Sequence, residues 1–392
     1  MQSLIATIQL STVYLYYYLF KSVCFAMKNY SYFNRIYSGV FILAICLFFC
    51  LFSATAQPLK IDVAGLTHDH AYGLMQQYKN NEVVILGIAE ANDELVQRYK
   101  NLYHLPDSIF YRSIADMLDH TKPDAVLAYN AIVDHLPVVE ACAPRGISVM
   151  VEKPLATTVA QAERMAMLAK KYHIQILTNY ETTWYASNQQ VYSITNEERA
   201  IGEVRKMIVH DGHQGPVEIG CSKYFLEWLT DPVKNGGGAI VDFGCYGADL
   251  MTWLMKGETP VAVTAVTRHI KPNIYPKVDD DATILLEYPK ATGIIEASWN
   301  WPFGIKDFEV FGERAYLHAL NNNTLEKRDT ASYYRVDVKP PVYKDNLSYL
   351  AAVLRGEVNS SNDPSSLAIN LVVVKILEAA RASAKAGKRI EL

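Results

Sequence analysis

Residues 59–71 read LKIDVAGLTHDHA, a short apolar-rich run that ends at one glycine and then a polar turn opening onto a helical pattern. A run of that length, buried on both faces and closed by glycine before a helix, opens a parallel β-α unit. Further runs follow at Val83–Ala89, Ala125–Tyr129, Ser148–Val151 and Ile174–Thr178. Between them, Ala71–Tyr78, Asp93–Tyr103, Ile114–Leu118, Leu136–Ala143 and Val159–Tyr172 carry apolar residues at helical spacing. The alternation predicts an α/β domain over 57–180, a parallel sheet with helices on both sides.

From residue 181 the texture changes. Longer amphipathic runs such as Val204–His210, Val261–His269, Ala282–Tyr288, Thr292–Trp299 and Phe308–Gly312 are interrupted by one strong helical segment, Ala239–Leu254. They predict an α+β domain over 181–345 whose large, mostly antiparallel sheet has an open face. Residues 346–392 return to helix, broken once at Asn359–Pro364.

Half of the 392 residues are apolar and 20% are charged, which excludes a disordered or fibrous chain. The net charge is −4, and residues 1–56 hold no acid and only Lys21, Lys28 and Arg35, so the remainder is more acidic still. A nucleic-acid partner is not expected without a basic face. From Met27, Lys28 and Arg35 precede an apolar run from Val40 to Phe52 and then Ala54-Thr55-Ala56. That order predicts a Sec-type leader cleaved after Ala56, hence a periplasmic or secreted protein that meets the membrane only through its leader. The run is shorter than the roughly 20 residues of a spanning helix. No role is assigned to residues 1–26. Beyond the leader, Cys142, Cys221 and Cys245 are scattered, with no zinc spacing, and read as buried small hydrophobes, one disulfide being the alternative.

The turn after the first strand is the place where backbone N–H groups and a helix N-terminus hold a pyrophosphate. Gly65 matches the glycine pattern of such turns, while Thr67 and His70 occupy its second and third glycine positions. Glu90 ends the second strand, where an acid can bind adenosine ribose hydroxyls. A carboxylate there repels a 2′-phosphate and no Arg directly follows, so NAD is expected rather than NADP. His68 and His70 could instead share a metal, but no third ligand cluster is visible, and no metal is expected.

The fifth strand runs into Glu152-Lys153-Pro154, which would aim Lys153 at the ligand edge of the sheet. Far along the chain, Gly236-Gly237-Gly238 opens the helical segment carrying Asp242, Tyr246 and Asp249, whose spacing puts them on one helical face. Oxidising an alcohol needs a base for the hydroxyl proton. Tyr246 is the candidate base if a neighbouring cation lowers its phenol, Lys153 the cation that also holds the substrate oxygen, and Asp242 the group that orients them. Singly, each residue has a plainer reading, as surface lysine, capping acid or core aromatic.

Together these segments resemble the Gfo/Idh/MocA oxidoreductases over Lys60–Tyr180 and Ile201–His318. The resemblance is carried by Gly65, by Asn130 and His135 ahead of Gly146, by Glu152-Lys153-Pro154, Ile201-Gly202-Glu203-Val204, the glycine run through Asp249, Trp253-Leu254 and Glu296-Ala297-Ser298-Trp299. It implies a Rossmann domain, an open-faced sheet domain, NAD or NADP, and pyranoside, polyol or related substrates. It also implies a catalytic lysine at Lys153 and a helix acid at Asp242. Gly65, Thr67, His68, His70, Glu90, Asn130, His135, Glu152 and Lys153 would then hold the cofactor. Most members have histidine where this chain has Tyr246, a feature that resembles the glucose-fructose oxidoreductase branch.

Tyr180, Trp184, Tyr185, His210, His213, Trp228, Trp299 and Trp301 supply aromatic faces and ring nitrogens suited to a carbohydrate, about half of them expected in the interior. Substrate contacts are expected from Lys153, Tyr180, Trp184, His210, Asp242 and Tyr246. The reading is an exported sugar or glycoside dehydrogenase with tightly held NAD, assembled as a homodimer or homotetramer. The alternatives are an NAD-dependent glycoside hydrolase working by transient oxidation and elimination, and a non-catalytic sugar-binding protein.

Overall fold

The computed structural model describes residues 58–358 and 360–392. The leader and its cleavage after Ala56 lie outside the described residues. In the first domain β1 (Leu59–Ala64), β2 (Val83–Ala89), β3 (Phe110–Tyr111), β4 (Ala125–Ala128), β5 (Ser148–Glu152) and β6 (Ile176–Asn179) form a parallel sheet in the order β3-β2-β1-β4-β5-β6. Helices α1 (Ala71–Lys79), α2 (Asp93–Tyr103), α3 (Ile114–His120), α4 (His135–Cys142) and α5 (Val159–Tyr172) connect them. Asn92 starts α2 by accepting from the Glu94 and Leu95 amides, and Thr158 starts α5 through the Gln161 amide. The strand order reverses between β1 and β4, so Gly65, Glu90, Asn130 and Lys153 collect at one edge, the place where open α/β sheets bind ligands.

After α6 (Ala186–Tyr192), the second domain is a nine-stranded mixed sheet built on β7 (Val204–Gly212). Its other strands are β8 (Ala262–Arg268), β9 (Asp281–Glu287), β10 (Thr292–Ser298), β11 (Ile305–Gly312), β12 (Tyr316–Asn321), β13 (Thr324–Arg328), β14 (Tyr334–Val336) and β15 (Ile390–Glu391). Only β7 and β10 run parallel. Along β7 the buried residues Met207, Val209 and Asp211 alternate with Ile208 and His210, which face the open side. A further helix, α7 (Lys223–Leu229), was not expected from the sequence; it reaches across to the first domain, where Tyr224 packs with Leu66, Leu95 and Tyr99.

The single helix expected over Ala239–Leu254 is two: α8 (Ala239–Asp242) and α9 (Gly244–Leu254), with a break at Phe243. The cause is local. The Asp242 carbonyl, which would otherwise accept the next helical N–H, accepts from Lys153 Nζ at 3.0 Å and from Cys245 Sγ at 3.2 Å. At the other end Asp279 caps α8 from outside, taking the Gly238 and Ile240 amides.

The tail divides its packing between the domains. α10 (Asn346–Leu354) puts Leu347, Tyr349, Leu350 and Val353 into the core that contains β1 and α1. α11 (Leu367–Ala386) packs Val373 and Leu377 into the second core, and its Arg381 donates to the carbonyls of Thr157 and Gly236. Cys142, Cys221 and Cys245 are all free.

Gly238 is where this scaffold tolerates change least, since a Cβ there would lie 1.8 Å from the Asp279 carbonyl oxygen. Gly238→Ala is expected to cost at least the ~1–3 kcal/mol of an overpacked core in denaturant unfolding, whereas Gly304→Ala, which meets nothing within 4 Å, stays within ~0.5 kcal/mol of the parent.

Candidate active site

Lys153 leaves the end of β5 and meets Asp242 at the end of α8. The ammonium donates to Asp242 Oδ1 at 2.6 Å, and Trp299 Nε1 donates to Oδ2 at 3.0 Å. Lys153 is 5% exposed, Asp242 6% and Trp299 not at all. Burial acts against both charges, yet each holds the other ionised: the Lys153 ammonium sits above its ordinary value and the Asp242 carboxyl below. Tyr246 is beside them, with Lys153 Nζ 4.9 Å from its ring centroid.

The phenol of Tyr246 behaves differently from expectation. Burial, and then the charges of Glu181 and Asp211, push it well above its ordinary value, so it is a neutral donor rather than a phenolate. A second ammonium, Lys306 on β11, lies 3.8 Å from the same ring centroid. Both cations meet the π face, a cation–π arrangement, and the phenol stays high despite them. Asp249 was expected on a face with Asp242 and Tyr246. It is fully buried with neither carboxylate oxygen hydrogen-bonded, and burial followed by Asp363 holds its carboxyl well above the usual range.

At the glycine turn, Gly65 has φ +79°, and a Cβ there would lie 2.7 Å from Asn130 Cβ. The Leu66 amide donates to Glu90 Oε2 at 2.9 Å and the His68 amide to the Tyr129 carbonyl, leaving the Thr67 and Asp69 amides without a partner among the described residues. Glu90 also takes the Asn92 amide on its other oxygen. It is therefore first a strut of the turn, and any ribose contact would be additional to that role. Arg112, from the end of β3, donates to the Ala91 carbonyl and pairs with Asp93 at 2.5 Å. The cation that the sequence did not place after Glu90 is thus supplied from the neighbouring strand.

His68, His70 and Glu152 come together, so the third ligand missing from the sequence is Glu152. Hydrogen bonds already engage His68 Nδ1, His70 Nδ1 and both Glu152 oxygens. His68 Nδ1 accepts the His70 amide at 3.1 Å, which puts the hydrogen of the neutral ring on Nε2; His70 Nδ1 donates to Glu152 Oε2 at 2.9 Å. Burial, then His70, keeps His68 neutral, whereas Glu152 overcomes burial to raise His70. The trio is a proton-linked cluster and does not fit a metal in this arrangement.

The donor set fits a dinucleotide better. His68 Nε2, Asn130 Oδ1, His135 Nε2 and Asn179 Oδ1 are buried and unpartnered around this edge. The His135 ring, with Nδ1 against the Leu155 carbonyl, is pushed down to about 4 by burial. α7 lies directly on the turn: Ser222 donates twice to Asp69, Trp228 Nε1 donates to the Thr67 carbonyl at 3.3 Å, and His68 packs against Phe225 and Trp228.

The residues expected to touch substrate separate. Tyr180 is fully buried, edge-on to Tyr246, and lines no described cavity. Trp184 packs tilted against Tyr349 and lines a cavity along α1 with His70 and Asn179. His210 faces the open side of the sheet, where Asp307 joins it to His318. Its neighbour Asp211 points inward instead. Asp211, Lys306 and Glu181 were missed by the sequence reading: Lys306 pairs with Glu181 and lies 3.4 Å from Asp211 Oδ2. With Tyr185 and His213 they line a cavity of about 520 Å³. A lysine and an acid that pair across two adjacent strands in the same register parity as the buried Val209–Phe308 pair were the available signal.

Residues 61–180 match the oxidoreductase family with an NAD-binding Rossmann fold, and residues 163–318 match the GFO/IDH/MocA C-terminal domain. The trans-1,2-dihydrobenzene-1,2-diol dehydrogenase of Xenopus laevis is 24% identical over 52% of this chain and 57% of its own length. The rhizopine catabolism protein MocA of Rhizobium meliloti is 25% identical over 54% of this chain and 68% of its own. This chain thus spans little more than half the length of the dehydrogenase. Among solved structures, the aldose-aldose oxidoreductase from Caulobacter crescentus complexed with glycerol has a TM-score of 0.72 at 22% identity, over 86% of this chain and 100% of that one. An inositol dehydrogenase homolog complexed with NAD+ from Azotobacter vinelandii reaches 0.73 at 17%, over 86% and 98%. At these identities the likeness shows the fold.

If the buried pair is as interdependent as its geometry implies, Lys153→Met should cost ~3–5 kcal/mol by stranding the Asp242 charge, and adding Asp242→Leu should recover a large part of that loss. Denaturant unfolding of the two singles and the double reads the coupling; strictly additive losses would contradict it.

Proposed function

The chain belongs to the Gfo/Idh/MocA oxidoreductase family, and from that membership we propose that it oxidises or reduces a CH–OH carbon of a sugar, polyol or glycoside with NAD(P). The observation that carries this reading is the Lys153–Asp242 pair, which brings a fixed ammonium from one domain and a carboxylate from the other to the ligand edge of the sheet. Lys153 donates to the substrate oxygen, polarising it as the carbonyl forms, while Asp242 and Trp299 hold the ammonium in place. Tyr246 contributes a neutral hydroxyl beside them.

The Thr67 and Asp69 amides, His68 Nε2–H and Asn130 would hold the dinucleotide, with Glu90 bracing the turn. The bound nicotinamide supplies hydride acceptance or donation. Because α7 lies on the turn, a dinucleotide enters as α7 lifts and is then clasped by it, which supports a tightly held cofactor. Such retention suits an exported enzyme, for which free nicotinamide nucleotide is scarce. Glu90 favours NAD, whereas the nearby Arg112 supplies a cation for NADP.

Mass spectrometry of small molecules released from the purified, desalted protein is expected to show a nicotinamide dinucleotide, and a panel of neutral sugars and polyols to change its redox state. Protein that carries none and binds neither NAD nor NADP when they are supplied would contradict the reading. Ser222→Ala, which removes both the side-chain tie to Asp69 and the cap on the Phe225 amide at the start of α7, is expected to loosen α7 on the turn and speed loss of bound dinucleotide during desalting while the rest of the fold is kept; unchanged retention would contradict the clasp.

A further inference from the structure

Glu90 closes β2 nearly buried, and both of its carboxylate oxygens are committed to the turn, Oε2 to the Leu66 amide and Oε1 to the Asn92 amide. A carboxylate used as a strut cannot be exchanged without stranding the amides it satisfies. What is free to vary at this corner is the exposed pair beside it. Ala91, Asn92 and Asp93 follow Glu90 onto the surface, and Asp93 opens α2. Arg112 arrives from the neighbouring strand, since Ala89 is opposite Tyr111 in the β2–β3 register and the Glu90 amide donates to the Tyr111 carbonyl at 3.0 Å. Its guanidinium is held twice, by Nη1 on the Ala91 carbonyl at 2.8 Å and by Nη2 on Asp93 Oδ1 at 2.5 Å.

Resting on the dinucleotide reading above, we propose that Asp93 is the residue that makes this corner take NAD: it occupies the Arg112 guanidinium, the group that would otherwise receive the 2′-phosphate of NADP. Arg112 is the latent NADP determinant, and Asp93 holds it shut.

The charges at the corner support the choice. Glu90 and Asp93 set two carboxylates against the single guanidinium of Arg112, and the next acid, Glu94, is matched by Lys223 at 2.7 Å. The corner is therefore net negative, which suits the two hydroxyls of an unmodified ribose and repels the added phosphate. A neutral residue in place of Asp93 reverses this. Arg112 stays anchored by Nη1 on the Ala91 carbonyl, the remaining charges balance, and its Nη2 is left for a phosphate, an anion that guanidinium groups bind well. Asp93 and Arg112 are both largely exposed, so their pairing contributes little to folding and its removal reads selectivity.

The test equilibrates the full protein with an equimolar mixture of NAD and NADP until the retained ratio is constant, desalts it, and measures both dinucleotides by mass spectrometry, a readout that needs no turnover. The parent is expected to retain mainly NAD. Asp93→Asn should move the ratio toward NADP by roughly 5–50-fold, the effect of one unit charge removed beside another at a partly solvated surface. Adding Arg112→Met to Asp93→Asn should return the ratio toward that of the parent. A general loosening of α2 would lower both dinucleotides together, so the ratio isolates the charge. A ratio unmoved by Asp93→Asn, a double variant that keeps the shift, or a parent that retains mainly NADP overturns the assignment while leaving the redox reading intact. A parent that retains neither dinucleotide overturns both.

Discussion

A lysine and an aspartate, 89 residues apart in sequence and both nearly excluded from solvent, meet at 2.6 Å. Neither charge could stay buried alone, because desolvating a single ion costs several kcal/mol that only a close, hydrogen-bonded partner offsets. The pair therefore ties the end of β5 in the first domain to the α8–α9 break in the second. Much of the local geometry follows from it. The helix breaks at Phe243 because the Asp242 carbonyl turns to Lys153, and Trp299 is buried with its N–H on the remaining carboxylate oxygen.

The same economy of protons governs the neighbouring groups. At His68, His70 and Glu152, the His70 amide takes His68 Nδ1 and the His70 ring takes Glu152, so a constellation that looks like a ligand set is a hydrogen-bonded brace that leaves His68 Nε2 free. At Tyr246, two ammonium groups meet the ring face while acidic neighbours raise the phenol. The family position occupied by this tyrosine thus carries a neutral hydroxyl, and the nearby carboxyl with a near-neutral balance is Asp211.

Most of the fold was legible because periodicity and turn chemistry were unambiguous: Leu59–Ala64, Val83–Ala89, Asp93–Tyr103 and Val159–Tyr172 have the bounds their patterns imply. The convergence of Lys153, Asp242 and Tyr246 was legible through the resemblance. What escaped was set by tertiary contacts. The Phe243 break depends on a lysine from another domain, and α7 is short and made stable by packing on the glycine turn rather than by its own pattern. The pleat separates His210, which the sequence named, from its neighbour Asp211, which it did not: adjacent strand residues face opposite ways, and the inward one is the acid. Glu152 joins His68 and His70 only once β5 lies beside β4 in the sheet.

Lys153, fixed by Asp242, is proposed to stand beside a dinucleotide lying along the sheet edge. A crystal structure of the protein grown with NAD(P) tests it most directly. The expected density places the nicotinamide next to Lys153, the pyrophosphate on the Thr67 and Asp69 amides, and α7 displaced from its present contact with His68 to cover the cofactor. A dinucleotide bound elsewhere, or α7 still packed on the turn at saturating cofactor, would contradict it.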